Sequence, residues 1–158
     1  MAVSNQRRIV NEMKLIEKNA ESNKSMFVLR RDGDDMYHWK AVVYGPEGSL
    51  YEGYEFDVDI KLSDSYPNSP PSVIFITPIE HVNVNEAGNI CLDILKDKWS
   101  SAINMSSILI SIASLLNSPN PEDPFNSTLA ETYRTNRAKY EKVIKEHCKA
   151  NARVKQNV

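Results

Sequence analysis

A chain of 158 residues, 41% hydrophobic and 25% charged, has the size and composition of one compact domain spanning 1–158. Its formal net charge of -2 supplies no general basic field, which speaks against nucleic acid as a partner. A bilayer span needs about 20 apolar residues, and the longest apolar-rich stretch, Ile108 to Leu116, is short and serine-laced, so no membrane contact is expected.

Ile9, Val10, Met13, Ile16 and Ala20 recur at helical spacing and predict an amphipathic helix over residues 5–20, with Arg7, Arg8, Glu12 and Lys14 among the other positions and the basic residues read as solvated charge. Met26 to Arg31, a turn at Asp32-Gly33-Asp34-Asp35, and Met36 to Tyr44 read as a hairpin. From Tyr54 to Leu62 apolar residues alternate with Glu55, Asp57, Asp59 and Lys61, which predicts a strand with one core face and one wet face. Tyr66-Pro67-Asn68-Ser69-Pro70-Pro71 cannot continue a sheet, because proline removes a backbone donor and restricts the residue before it. Val73 to Thr77 is expected as a fourth strand, completing an antiparallel meander.

Met105 to Asn117 carries Ile108, Leu109, Ile112, Leu115 and Leu116 at helical spacing behind Asn104, a candidate N-cap, and reads as a central buried helix. Pro119, Pro121 and Pro124 enforce a loop, and Thr128 with Glu131 suggests a capping box for the next helix. Tyr140, Val143, Ile144 and Cys148 form a stripe that makes Cys148 a packing residue. Lys149 to Val158 reads as a fraying, mildly basic helix end. The fold class that follows is α+β: an N-terminal helix, a four-stranded antiparallel sheet, then helices packed on one face.

The stretch from His81 to Trp99 holds the candidate chemistry. Cys91 and Cys148 stand in unlike contexts, which argues against a disulfide and for a reducing compartment; the opening MAVSNQRRIV also lacks a signal peptide's apolar core. A soluble protein of cytoplasm or nucleus is expected. Ile90-Cys91-Leu92 can be a hydrophobic plug, since free cysteine is often buried, or Cys91 can be a nucleophile. No strong base adjoins it in sequence. A thiol needs less help than a hydroxyl, so thioester exchange fits better than hydrolysis. Neither paired cysteines nor histidine clusters stand at ligand spacing, and no Gly-rich phosphate loop occurs, so no metal, nucleotide or other cofactor is expected.

His38-Trp39, Gly45-Pro46, Tyr66-Pro67 with Pro70-Pro71, His81 with Asn83, Ile90 to Leu95, Trp99-Ser100 and Pro119-Asn120-Pro121-Glu122-Asp123-Pro124 follow one another as in the ubiquitin-conjugating enzymes, which the chain resembles from its first helix to Tyr140. The resemblance implies that Cys91 accepts ubiquitin, or a related modifier, as a thioester from an activating enzyme that spends the ATP. Cys91 would then pass it to a lysine of a protein substrate, usually with a RING-type or other ligase. Asn83 matches an asparagine that supports the reacting loop or the oxyanion; tying a turn together explains it equally. Asp123 matches an acid that orients the incoming lysine, and Asp93 one linked to lysine reactivity, although Asp93 also reads as a local turn acid. His81 matches a structural histidine.

For partners, the resemblance assigns Arg7 and Arg8 to docking of the activating enzyme, and Leu62, Ser101 and Ala102 to ligase-binding loops. Ile110, Ser111 and Ser114 are assigned to the donor modifier, while core packing is the other reading of Ile110. The pattern departs in places. The family's His-Pro-Asn reads His81-Val82-Asn83, which removes proline's fixed φ beside the supposed catalytic amide. Leu62 stands where one branch of the family has a bulky aromatic, Ser101 replaces the usual proline, and the serine that marks noncovalent ubiquitin binding in one branch is missing near Val28. A second class of function, a noncatalytic ubiquitin-binding module of the same fold, is opposed by the presence of Cys91 itself.

Overall fold

The computed structural model describes residues 2–156. Helix α1 runs Ala2–Asn23, longer at both ends than the apolar spacing alone marks. Ile9 is fully buried, whereas Val10 and Ala20 are exposed. Glu12, which stands off the apolar stripe, is buried as well. Its carboxylate accepts from Arg8 Nε at 3.0 Å, from the Met105 backbone N–H at 2.9 Å and from the Tyr66 hydroxyl. A buried carboxylate survives only when its lone pairs are so filled. Together these bonds fasten α1 to the proline-rich connector and to the start of the central helix.

Four strands follow as a meander in the order β1 (Phe27–Asp32), β2 (Asp35–Tyr44), β3 (Tyr54–Lys61) and β4 (Ser72–Phe75), all antiparallel. The register aligns the apolar positions in rows: Leu29 opposite Ala41, Ala41 opposite Val58, and Val58 opposite Phe75. All four are buried, since alternate residues share one face of a pleated strand. The opposite face is only partly wet. Asp59 is buried because His38 Nε2 bonds its carboxylate at 2.6 Å.

Helix α2 (Met105–Asn117) lays Met105, Ile108, Leu109, Ile112 and Leu116 into the same core. Asn104 is its N-cap as expected, accepting from the Ser107 N–H at 2.8 Å. Helices α3 (Ser127–Thr135) and α4 (Arg137–Asn151) complete the layer. The cap of α3 is Asn126, which accepts from the Leu129 N–H at 3.0 Å, and not a Thr128–Glu131 box. Cys148 packs in the core as the stripe predicts.

The C-terminal segment corrects a further expectation. Over its described part it does not fray as helix: α4 stops at Asn151, and β5 (Arg153–Val154) pairs with the free part of the β3 edge at Tyr54 and Glu55, while residues 157 and 158 lie outside the described residues. Arg153 donates to Glu55 at 2.8 Å and, as a fork, to both Asp57 oxygens at 2.7 and 2.8 Å. The guanidinium holds the Asp57 carboxyl below its ordinary range. No helix among the described residues is long and apolar enough to cross a membrane.

Candidate active site

The site is built outward from a buried base. His81 and Asn83 are fully buried, and every polar atom of either side chain has a partner. His81 Nε2 donates to the Leu115 carbonyl of α2 at 2.8 Å, and Nδ1 accepts from the Asn83 backbone N–H at 2.9 Å. Burial pushes the imidazole down to about 4, so it stays neutral near pH 7 and serves as a structural bridge rather than a base. This agrees with the structural reading of His81 from sequence.

Asn83 spends its whole amide on one loop. Nδ2 donates to the carbonyls of Asn120 at 2.8 Å and Asp123 at 3.0 Å, and Oδ1 accepts from the Asn120 N–H at 2.8 Å. Both amide hydrogens are taken, so the side chain as placed ties the loop and leaves no hydrogen for an oxyanion. Val82 between them is buried, and its carbonyl accepts from the N–H groups of Phe125 and Asn126 at 2.9 and 3.0 Å. Tertiary bonds on both flanks thus restrain the tripeptide where a proline would have fixed φ.

The segment next crosses a turn whose glycine is obligatory. Gly88 has φ +88°, and a Cβ there would stand 2.1 Å from the Phe75 carbonyl oxygen of β4. That close approach lets the Phe75 N–H donate to the Gly88 carbonyl at 2.9 Å, hanging the turn on the sheet. The Cys91 N–H then donates to the Asn83 carbonyl at 2.8 Å, which fixes the cysteine over the buried base.

Cys91 is 7% exposed, and its sulfur faces two opposite charges. The thiol donates to Asp123 Oδ2 at 3.0 Å, and Lys96 Nζ donates to the sulfur at 3.0 Å. Burial and then the Asp123 carboxylate push the thiol up, while the Lys96 ammonium opposes them; the balance lies above the ordinary thiol range. Asp123 and Lys96 are both exposed. Phe125, also exposed, places its ring centroid 5.2 Å from the Lys96 ammonium.

Of the residues singled out from sequence, Cys91, Asn83 and Asp123 meet here. Asp93 does not: it opens a short 3-10 turn, Asp93–Leu95, its carboxylate lies 3.6 Å from Lys98 Nζ, and its carbonyl accepts from the Lys96 and Lys98 N–H groups. Lys96 was missed. The 3-10 turn brings it back over the sulfur five residues after Cys91, and its only sequence sign is a charge directly behind a short apolar run.

Among the partner candidates, Arg7, Ser101, Ala102 and Ser114 are exposed and Ser111 is half-buried. Ile110 is 44% exposed, which removes the core reading and leaves it on the open face of α2. Leu62 differs from the expectation of a contact-loop residue: it lies just past the end of β3 with its side chain buried in the core. Arg8 is engaged internally, donating to the Ser101 carbonyl and, at 2.7 Å, to the Ile103 carbonyl. It therefore shapes the loop that carries Ser101 and Ala102.

The family model described as "Ubiquitin-conjugating enzyme" matches residues 8–148. The chain belongs to the ubiquitin-conjugating enzyme family. A relative from Acanthamoeba polyphaga mimivirus, named "Probable ubiquitin-conjugating enzyme E2", is 46% identical over 155 residues, 98% of each chain. A crystal structure from Plasmodium yoelii, described as a "putative ubiquitin conjugating enzyme", superposes with a TM-score of 0.85 at 34% identity, covering 94% of this chain and 95% of that one. Membership in the ubiquitin-conjugating family implies three general classes of partner: ubiquitin, an activating enzyme and a ligase.

Proposed function

We propose that this family member is an acyl-transferase in which Cys91 carries ubiquitin as a thioester and delivers it to a substrate lysine. The observation that carries the reading is the sulfur itself, held 3.0 Å from the Lys96 ammonium and 3.0 Å from the Asp123 carboxylate within the family-matched segment. A plug cysteine needs neither charge.

Loading begins when the Cys91 thiolate attacks the carbonyl carbon of the thioester on the activating enzyme. The new C–S bond forms as the old one breaks, and the departing thiolate takes a proton. Lys96 favours the attacking thiolate by supplying a cation beside the sulfur. The reaction exchanges one thioester for another, so ATP is spent upstream and no cofactor is required here.

Discharge needs a neutral lysine at the acyl carbon. Asp123, exposed beside the sulfur, orients the incoming ammonium and accepts the proton it sheds. Asn83 acts through Asp123 as a positioning residue, because its amide fixes the 120–123 loop. Ser101 and Ala102 with Arg7 form the exposed docking end, and Ile110, Ser111 and Ser114 the face for the donor modifier.

The test is to combine the protein with ubiquitin, ATP and an activating enzyme, and to compare gels run with and without thiol. A species heavier by one ubiquitin that thiol abolishes is expected. Its absence, from folded protein and with the activating systems of related modifiers as well, would leave a binding module.

A further inference from the structure

A groove of about 820 Å³ lies between the end of β4, the 84–88 turn and the start of α3, with His147 of α4 also lining it. Phe125 joins it to the reacting sulfur. That side chain lines the groove, follows Asp123 by two residues and sets its ring 5.2 Å from the Lys96 ammonium. A volume of this size suits a drug-sized ligand or a peptide stretch of like bulk. None of the lining residues belongs to α2, the helix assigned to the donor modifier, so a modifier held there leaves the groove to the acceptor.

The groove is acidic. Glu80 and Glu86 line it, and among the described residues no lysine or arginine does. Glu80 is held in place: the Tyr51 hydroxyl donates to its backbone carbonyl at 2.6 Å, and Asn126 Nδ2 donates to its Oε1 at 2.8 Å. Asn126 is committed in turn, because its Oδ1 caps α3. Among the described residues Oε2 of Glu80 accepts no hydrogen bond; His147 Nε2 stands 4.0 Å from it, beyond bonding distance. A carboxylate accepts about four hydrogen bonds, so a half-buried one with a single side-chain donor keeps unused acceptor capacity at the groove. Glu86 is exposed on the turn that Gly88 hangs from the Phe75 N–H.

On the thioester reading of Cys91, on which this rests, we infer that the groove selects acceptor segments by charge. A substrate peptide with arginine or lysine a few residues from its acceptor lysine lies along the groove and donates to Glu80 Oε2 and to Glu86, while the acceptor amine stands at Asp123. Arginine fits Glu80 best, since a guanidinium donates from several N–H groups in a fixed fork. Apolar neighbours of that arginine meet Ile76 and Phe125, which are 57% and 41% exposed. An acceptor lysine flanked by acids is disfavoured, because like charges then face each other.

The experiment charges wild-type protein with ubiquitin, removes ATP and offers three peptides that differ only in the residues flanking one lysine: arginine, alanine or glutamate. Thiol-resistant product should form fastest on the arginine peptide and slowest on the glutamate one, in steps of roughly fivefold at low salt that narrow as salt is raised. Glu80→Gln keeps an acceptor for Asn126 and should bring the arginine-to-alanine ratio down towards one. Glu86→Gln, at an exposed turn, should lower the same ratio, and Glu86→Arg should favour the glutamate peptide. Equal rates on the three peptides, or an arginine preference that survives in both glutamine variants, would overturn the proposal while leaving the thioester reading intact. If no thiol-sensitive species forms at the charging step, the thioester reading fails and the proposal falls with it.

Discussion

Cys91 and Cys148 are both buried thiols, 7% and 2% exposed, in opposite chemical surroundings. Around Cys148 burial alone acts, and it pushes the thiol up to about 11. Around Cys91 burial is joined by a carboxylate and opposed by an ammonium, both reaching the sulfur from exposed side chains. Burial therefore does not distinguish the two thiols; polar partners that reach the sulfur from the solvent side do. The scaffold beneath Cys91 sharpens the contrast, because His81 and Asn83 are fully buried while the rim of Lys96 and Asp123 is open.

The largest expected difference is in alkylation of the native protein by iodoacetamide. Cys91 should react through its rim, whereas Cys148 should wait for unfolding and react at least roughly 10³-fold more slowly, given the usual free energy of global opening. Equal rates followed by peptide mapping would erase the comparison. Next in size is the buried histidine beneath the site. His81 is neutral when folded, with a value of about 4, and ordinary near 6.5 when unfolded, so the unfolded chain binds more protons between those values. Its contribution is complete above about pH 6.5 and declines by about 3 kcal/mol on acidification to pH 4. Urea titrations across this window should show that slope, and His81→Gln should flatten it.

Asn83→Ala removes three hydrogen bonds to the 120–123 loop, each worth about 1 kcal/mol. Urea unfolding should show a loss of about 3 kcal/mol, and the Cys91 thiol should move back towards its ordinary range as Asp123 is released. A stability loss with an unchanged Cys91 pH profile would confine Asn83 to the scaffold. The smallest effects are on the rim itself. Lys96→Gln should raise and Asp123→Asn should lower the Cys91 thiol, read from the pH dependence of alkylation, with Cys148 unaffected by either.

Much of this was legible from sequence, and the divisions are physical. The alternation in β3 and the stripe in α2 are local periodicities, so strands, central helix, Asn104 cap and Cys148 packing could be read from spacing. Glu12, Asp59, Arg8 and β5 could not, because each is set by a partner distant in sequence: Tyr66, His38, the Ser101–Ile103 loop and the β3 edge. Leu62 misled because a position matched to a contact loop turned its side chain inward. Lys96 was hidden for a different reason. Only the 3-10 turn reverses the chain enough to bring it back to Cys91.

The central claim is tested most directly by loading Cys91→Ala and Cys148→Ser side by side, after circular dichroism has shown both folded. The account predicts that Cys148→Ser forms the thiol-sensitive ubiquitin adduct and that Cys91→Ala forms none. A thiol-sensitive adduct on Cys91→Ala, or its loss from folded Cys148→Ser alone, would contradict it.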